Sequence, residues 1–111
     1  MGVRIESSES VITAYIFGEI DHHCAKEIRD EIDEITERMR PEILILDFRD
    51  VTFMDSSGIG LVMGRYKLIK EIGGELKVIN VSGYIKKVMK LAGLDTLVSI
   101  EEGGKRNETN K

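Results

Sequence analysis

Four consecutive aliphatic residues, Ile43-Leu44-Ile45-Leu46, stand between Pro41 and Asp47, and the apolar residues on either side of them recur at a helical period. Before them come Ala25, Ile28, Ile32, Ile35 and Met39 among Lys, Arg, Asp and Glu; after them come Ile59, Val62, Met63, Tyr66 and Ile69. Spacings of three and four put such residues on one face of a helix, whereas an unbroken apolar run predicts a central strand covered on both faces. Pro41 cannot continue the first helix, because its ring removes a backbone donor and crowds the preceding turn. A strand held between two amphipathic helices needs strands on either side of it, joined by right-handed crossovers into a parallel sheet.

Those strands can be read off. Val3 and Ile5 alternate with polar neighbours, and after Ser7-Ser8-Glu9-Ser10 comes the β-rich run Val11-Ile12-Thr13-Ala14-Tyr15-Ile16-Phe17, which predicts an opening hairpin closed by Gly18. Asp21 is placed to cap the first helix, and Gly73-Gly74 to end the second. Leu76, Val78 and Ile79 form the next strand. Ser82 caps a third helix bearing Ile85, Val88, Met89 and Ala92, with Gly93 as its stop, and Leu97, Val98 and Ile100 complete the sheet. The predicted order is β-β-α-β-α-β-α-β, an α/β fold with a mixed, mostly parallel β-sheet, amphipathic helices and an opening β-hairpin. Residues 1–100 form one domain in this reading. Residues 101–111 are polar and Gly-rich without apolar periodicity, which predicts a disordered tail.

A chain of 111 residues has room for one core. Its net charge of −4, with no basic cluster in view, speaks against a nucleic-acid footprint, and a protein partner is expected instead. No apolar run approaches the ~20 residues of a membrane span. Arg4, Glu6 and Glu9 interrupt the first ten residues, so no signal peptide is read there and a cytoplasmic location is expected. A single cysteine, Cys24, excludes an internal disulfide and fits a reducing compartment.

The segment Asp55-Ser56-Ser57-Gly58 falls where a loop becomes the second helix. Its plainest reading is a cap: one Ser or Asp accepts a backbone hydrogen bond worth ~1 kcal/mol. Two adjacent hydroxyls and a carboxylate exceed what one cap needs, and Gly58, Gly60 and Gly64 each forfeit ~1 kcal/mol of helix propensity relative to alanine. Gly60 and Gly64 could let the helix approach the sheet, while Gly58 and Gly60 could let another protein's backbone approach Ser57. A hydroxyl at that position is also well placed to carry phosphate, because unpaired N–H groups and the helix dipole favour an anion there. Phosphorylation would add roughly −1.5 to −2 charge beside Asp55 and Asp21 and block a partner without unfolding the domain.

Other chemistries fit less well. A G-x-S-x-G nucleophile elbow would need glycines where Asp55 and Ile59 stand, and nothing in the sequence carries a base, His22 or His23, to Ser57. Asp21-His22-His23-Cys24 offers four metal-ligand types in succession, but neighbouring helical side chains point ~100° apart and do not converge on one ion. Gly58-x-Gly60-x-x-x-Gly64 lacks phosphate-loop spacing, and no cofactor is expected. The charged helix from Lys26 to Arg38 reads as a solvated face with pairs such as Glu34–Arg38. In the second helix Leu61, Arg65, Leu68 and Ile72 form a second stripe, which reads equally as a protein-binding patch or as a helix buried on two sides.

Three stretches together resemble one known family. Phe17-Gly18-Glu19-Ile20-Asp21-His22-His23, then Phe53-Met54-Asp55-Ser56-Ser57-Gly58-Ile59-Gly60, and then Gly64 to Glu75 are similar to the STAS-domain anti-sigma factor antagonists, and the likeness runs from Val3 to about Ile100. The Asp-His-His element looks like the sporulation branch rather than the general-stress branch. The resemblance implies the STAS fold and a non-enzymatic partner switch. Its unphosphorylated form binds an anti-sigma factor that is also a serine kinase with its own bound ATP or ADP, and releases the sporulation sigma factor F. The kinase phosphorylates the second serine, here Ser57; a serine phosphatase reverses this. By position, the resemblance makes Asp21 an interface carboxylate and places Ser56, Ser57, Gly58, Gly60 and Leu61 in the docking surface. It also implies a monomer when free, with neither nucleic acid nor membrane as partner. Two other readings stand beside it, a small hydrolase using Ser57 and a nucleotide- or lipid-responsive STAS module. One departure is plain: relatives usually carry a further amphipathic helix after the last strand, and residues 101–111 have no such pattern.

Overall fold

Alternation in the second β-rich run puts Ile12, Ala14 and Ile16 on one side of a strand, where none is more than 1% exposed. The same rule places Leu44, Leu46 and Phe48, and then Leu76 and Val78, on that side. A computed structural model of the protein describes residues 2–103 as one sheet with strand order β1-β2-β3-β4-β5. The strands are β1 (Gly2–Ser8), β2 (Val11–Ile20), β3 (Ile43–Met54), β4 (Glu75–Val81) and β5 (Ser99–Glu102). β1 is antiparallel to β2, and every later pair is parallel. Helices α1 (Ala25–Met39), α2 (Ser56–Glu71) and α3 (Gly83–Leu91) make the crossovers.

Because the parallel strands follow one another in chain order, right-handed crossovers lay the three helices on the same face. That corrects the expectation for the central run. Leu44 and Leu46 are sealed beneath helices, whereas Ile43 and Ile45 point to the other face and stay half-buried. The uninterrupted apolar run therefore marks a central strand, but one covered on a single face.

Other boundaries move for local reasons. β2 continues through Gly18, whose φ of 86° allows the register shift between Gly18 and Glu19 rather than ending the hairpin. α1 is entered through a turn at residues 21–24, so Asp21 accepts from the N–H groups of His23 and Cys24, at 3.0 and 3.2 Å, one turn ahead of the helix proper. Along α1 Thr36 takes the inward position, and Met39 is 38% exposed. Leu94–Thr96 forms a short 3-10 turn that buries Leu94 and leaves Leu97 outside. β5 runs to Glu102, two residues past the expected domain boundary, and the Gly103 N–H donates to Val81 O at 2.9 Å. The rest of the expected disordered tail lies outside the described residues.

Candidate functional site

The parallel strands β2 and β3 end together, with Ile20 beside Met54. The Asp55 N–H donates to Ile20 O at 3.2 Å. This single bond ties the turn that follows β2 to the start of α2, so Asp21 and Ser57 share one end of the sheet. The carboxyl ends of parallel strands are where open α/β sheets generally place their working residues.

Asp55 does the capping. Its Oδ1 accepts the Ser57 N–H at 2.7 Å, and its carbonyl accepts the Gly58 N–H at 2.9 Å. Neither serine hydroxyl is needed for that purpose. Ser56 is exposed and Ser57 half-buried, and both stand in the first turn, where the positive end of the helix dipole lies. The geometry therefore offers a hydroxyl with no structural duty at a position that favours negative charge.

The three glycines divide by what surrounds them. A Cβ on Gly58 would run into the Met54 side chain, at Cγ and Sδ, so Gly58 is the close-packing glycine and faces inward. A Cβ on Gly60 or on Gly64 would meet nothing within 4 Å. The close approach to the sheet expected of Gly60 and Gly64 belongs to Gly58 instead, and Gly60 is the exposed member beside the serines. Gly60→Ala is expected to raise stability by about 1 kcal/mol through helix propensity. Gly58→Ala is expected to lower it by about 1–3 kcal/mol, because Met54 must leave its rotamer. Urea unfolding of both variants measures the contrast directly.

Two of the candidate docking residues face inward: Gly58 is buried, and Leu61 is only 4% exposed. Arg65, one turn beyond Leu61, is 5% exposed as well, so the second stripe is buried at Leu61 and Arg65 and half-buried at Leu68 and Ile72. Its guanidinium donates from Nη1 to Leu61 O at 3.0 Å and from Nη2 to Asp33 Oδ2 at 3.1 Å. Nε and Asp33 Oδ1 lie 2.7 Å apart, an ion contact without hydrogen-bond alignment. Burial raises the Asp33 pKa above its ordinary value although Arg65 opposes it, and burial lowers that of Arg65 against the pull of Asp33. Desolvation thus outweighs attraction at both partners, the usual balance for an enclosed pair.

At Asp21 the balance is reversed. Desolvation pushes its pKa up, but hydrogen bonds from Cys24 and His23 together hold the carboxyl below its ordinary value. The stabilisation it gives is accordingly present above the unfolded-state value and is lost as pH falls through the folded one. His22 and His23 are exposed, with ring centroids 4.0 Å apart. Cys24 turns the other way, 2% exposed, with Sγ donating to Glu19 O at 2.8 Å. The Asp-His-His-Cys run therefore splits between solvent and core, and among the described residues no group of three His, Cys, Asp or Glu is arranged to hold a metal.

Sequence reasoning missed the aromatic margin of this end of the sheet. Phe53 is 51% exposed and Phe17 42%. The signal was available for Phe53: it precedes the inward Met54 by one strand position and must point the other way.

The fold has counterparts among known proteins. The STAS domain, as a family, matches residues 3–104. An anti-sigma F factor antagonist of Paenibacillus polymyxa is 34% identical over 97% of this chain and 89% of its own length. An anti-sigma-B factor antagonist of Bacillus subtilis (strain 168) is 32% identical over 94% of this chain and 96% of its own. Among solved structures, the anti-sigma factor antagonist SpoIIAA in its unphosphorylated form superposes with a TM-score of 0.77 at 30% identity, covering 88% of this chain and 86% of that one. The phosphorylated form of the Bacillus cell fate determinant SpoIIAA gives 0.72 at 27% identity, covering 98% and 99%.

Proposed function

The chain belongs to the STAS-domain family, and from that membership we propose that it is an anti-sigma factor antagonist switched off by phosphorylation of Ser57. In its unphosphorylated form it docks through Asp21, Ser56, Ser57 and Gly60 on an anti-sigma factor that is also a serine kinase, and the sigma factor is released. The kinase brings its own ATP. Ser57 Oγ attacks the γ-phosphorus, an Oγ–P bond forms as the bond to ADP breaks, and the hydroxyl proton passes to a base on the kinase. A serine phosphatase returns the chain to its binding form. The observation that carries the reading is that Asp55 caps α2 by itself, leaving the Ser57 hydroxyl free at the mouth of the helix.

The phosphate acts by charge and bulk. It adds roughly −1.5 to −2 charge at a surface that already holds Asp55 and Asp21, while the dipole of α2 tolerates it. The fold keeps its form and the partner loses its place. We assign the controlled factor to the sporulation type, sigma F, on the Asp21-His22-His23 element and the 34% relative, and the switch to the cytoplasm, where sigma factors work. Sigma-B antagonists are among the relatives too, and a release assay with both factors separates the two assignments.

The test is phosphotransfer. Mixed with the anti-sigma kinase of the same genome and labelled ATP, the wild-type chain is expected to take up one phosphate and Ser57→Ala none; equal labelling of Ser57→Ala would remove Ser57 from the role. Asp21→Ala is expected to weaken kinase association by about thirtyfold or more, on the 2–5 kcal/mol scale of a broken interfacial charge pair, and unchanged affinity by calorimetry would take Asp21 out of the interface.

A further inference from the structure

α3 presents a surface that the Ser57 reading does not use. Its inward face is closed by Ile85 and Met89. Its outward face holds two rows. Lys86, Lys87 and Lys90 stand together, and beside them Tyr84 and Leu91, two turns apart, are 69% and 83% exposed. Gly83, Lys86, Lys87, Lys90, Leu91 and Glu102 line one shallow depression of about 680 Å³. The expectation of no basic cluster is thus corrected: in a chain of net charge −4, α3 contributes three lysines to one face and no acidic residue.

The contrast with α1 is informative. Lys26 and Arg29 both reach Asp30, at 2.8 and 3.3 Å, so those charges are answered locally. Among the described residues none of the α3 lysines enters an ion pair. An unanswered basic row beside an exposed apolar row is complementary to a helix that carries carboxylates along one side and aliphatic residues along the other.

We infer that the outward face of α3 is a second docking surface, which takes an acidic amphipathic helical segment of another protein. Its carboxylates pair with Lys86, Lys87 and Lys90 while its apolar side packs on Tyr84 and Leu91. A protein segment fits better than an anionic bilayer. The exposed apolar row has two side chains on a helix of nine residues, less than a membrane-surface helix buries. Glu101 and Glu102, at the end of the neighbouring β5, would also repel a uniformly anionic plane, whereas a segment can place its carboxylates one by one.

The probe is a short synthetic helix with Glu along one side and Leu along the other, titrated into the full chain and followed by amide chemical shifts. Shifts confined to α3 and the end of β5 are expected, with affinity falling about tenfold or more when Lys87→Glu and Lys90→Glu are combined. Leu91→Ala should lower affinity several-fold at unchanged melting temperature, because Leu91 is outside the core. Three results would overturn the inference: no shift at α3; binding to phosphatidylserine vesicles in preference to the peptide; or a dimer that forms without peptide and disappears in the lysine variant, which would make the occupant a second copy of the chain.

Discussion

Arg65→Ala will cost this domain about 3 kcal/mol, the lower end of the scale for removing one partner of a buried ion pair, because the Asp33 side chain keeps 26% exposure. Arg65 is 5% exposed and ties α2 to α1 through Asp33, by a donor from Nη2 and a close contact from Nε, while Nη1 donates to Leu61 O within α2. Truncation opens a cavity between α2 and α1 and leaves the Asp33 carboxylate, whose side chain is 26% exposed, without its cation. Against a typical total of about 5–15 kcal/mol, such a loss is a large part of the stability. The urea midpoint should fall steeply at nearly constant m-value. Converting the pair together, Arg65→Met with Asp33→Leu, should recover most of that loss, because two apolar side chains need no compensation in the same space. A double variant as unstable as Arg65→Ala would show that the pair stabilises through its charges and not merely through packing.

Ser57→Asp carries the opposite signature. It places a carboxylate at the mouth of α2, where the dipole and the remaining N–H groups favour it, so the melting temperature should stay within a few degrees of wild type. Affinity for the kinase should fall by roughly 2–5 kcal/mol, about thirtyfold or more, because like charge and a desolvated carboxylate meet at the interface. Gly60→Ala is a useful companion, since a methyl group there strengthens the helix while filling the open face beside the serines. Together the two separate loss of docking from loss of folding, which Arg65→Ala does not.

The order of elements was legible because each one is governed by a local period. Ile28 and Ile32 on α1, and Ile12, Ala14 and Ile16 on β2, follow rules of spacing that need no partner to be known. What was not legible depended on which side of the sheet would be covered. Four aliphatics in a row at Ile43 to Leu46 read as doubly buried, and only the order of strands reveals that Ile43 and Ile45 face away from the helices. The stripe of Leu61 stayed open for the same kind of reason: a helix with apolar residues on two sides has the same sequence whether its second side meets α1 or solvent. The partner of Arg65 in that stripe lies 32 residues away at Asp33, beyond any local rule.

The Ser57 segment was legible to a different depth. Three capping residue types in succession point to the helix start, but not to which of them does the capping. The structure gives that duty to Asp55. The basic face of α3, whose lysines enter no ion pair among the described residues, was also outside the reach of composition, because a net negative chain conceals it on one short helix.

The account rests on Ser57 changing the partner's access and not the fold. The most direct measurement is calorimetric binding of the anti-sigma kinase to chain phosphorylated on Ser57 and to the same preparation after phosphatase treatment, with a melting curve for each. A loss of about thirtyfold or more in affinity is expected on phosphorylation, restored by the phosphatase, with melting temperatures that nearly coincide. Equal affinities, or a phosphorylated chain that has already unfolded at the binding temperature, would contradict it.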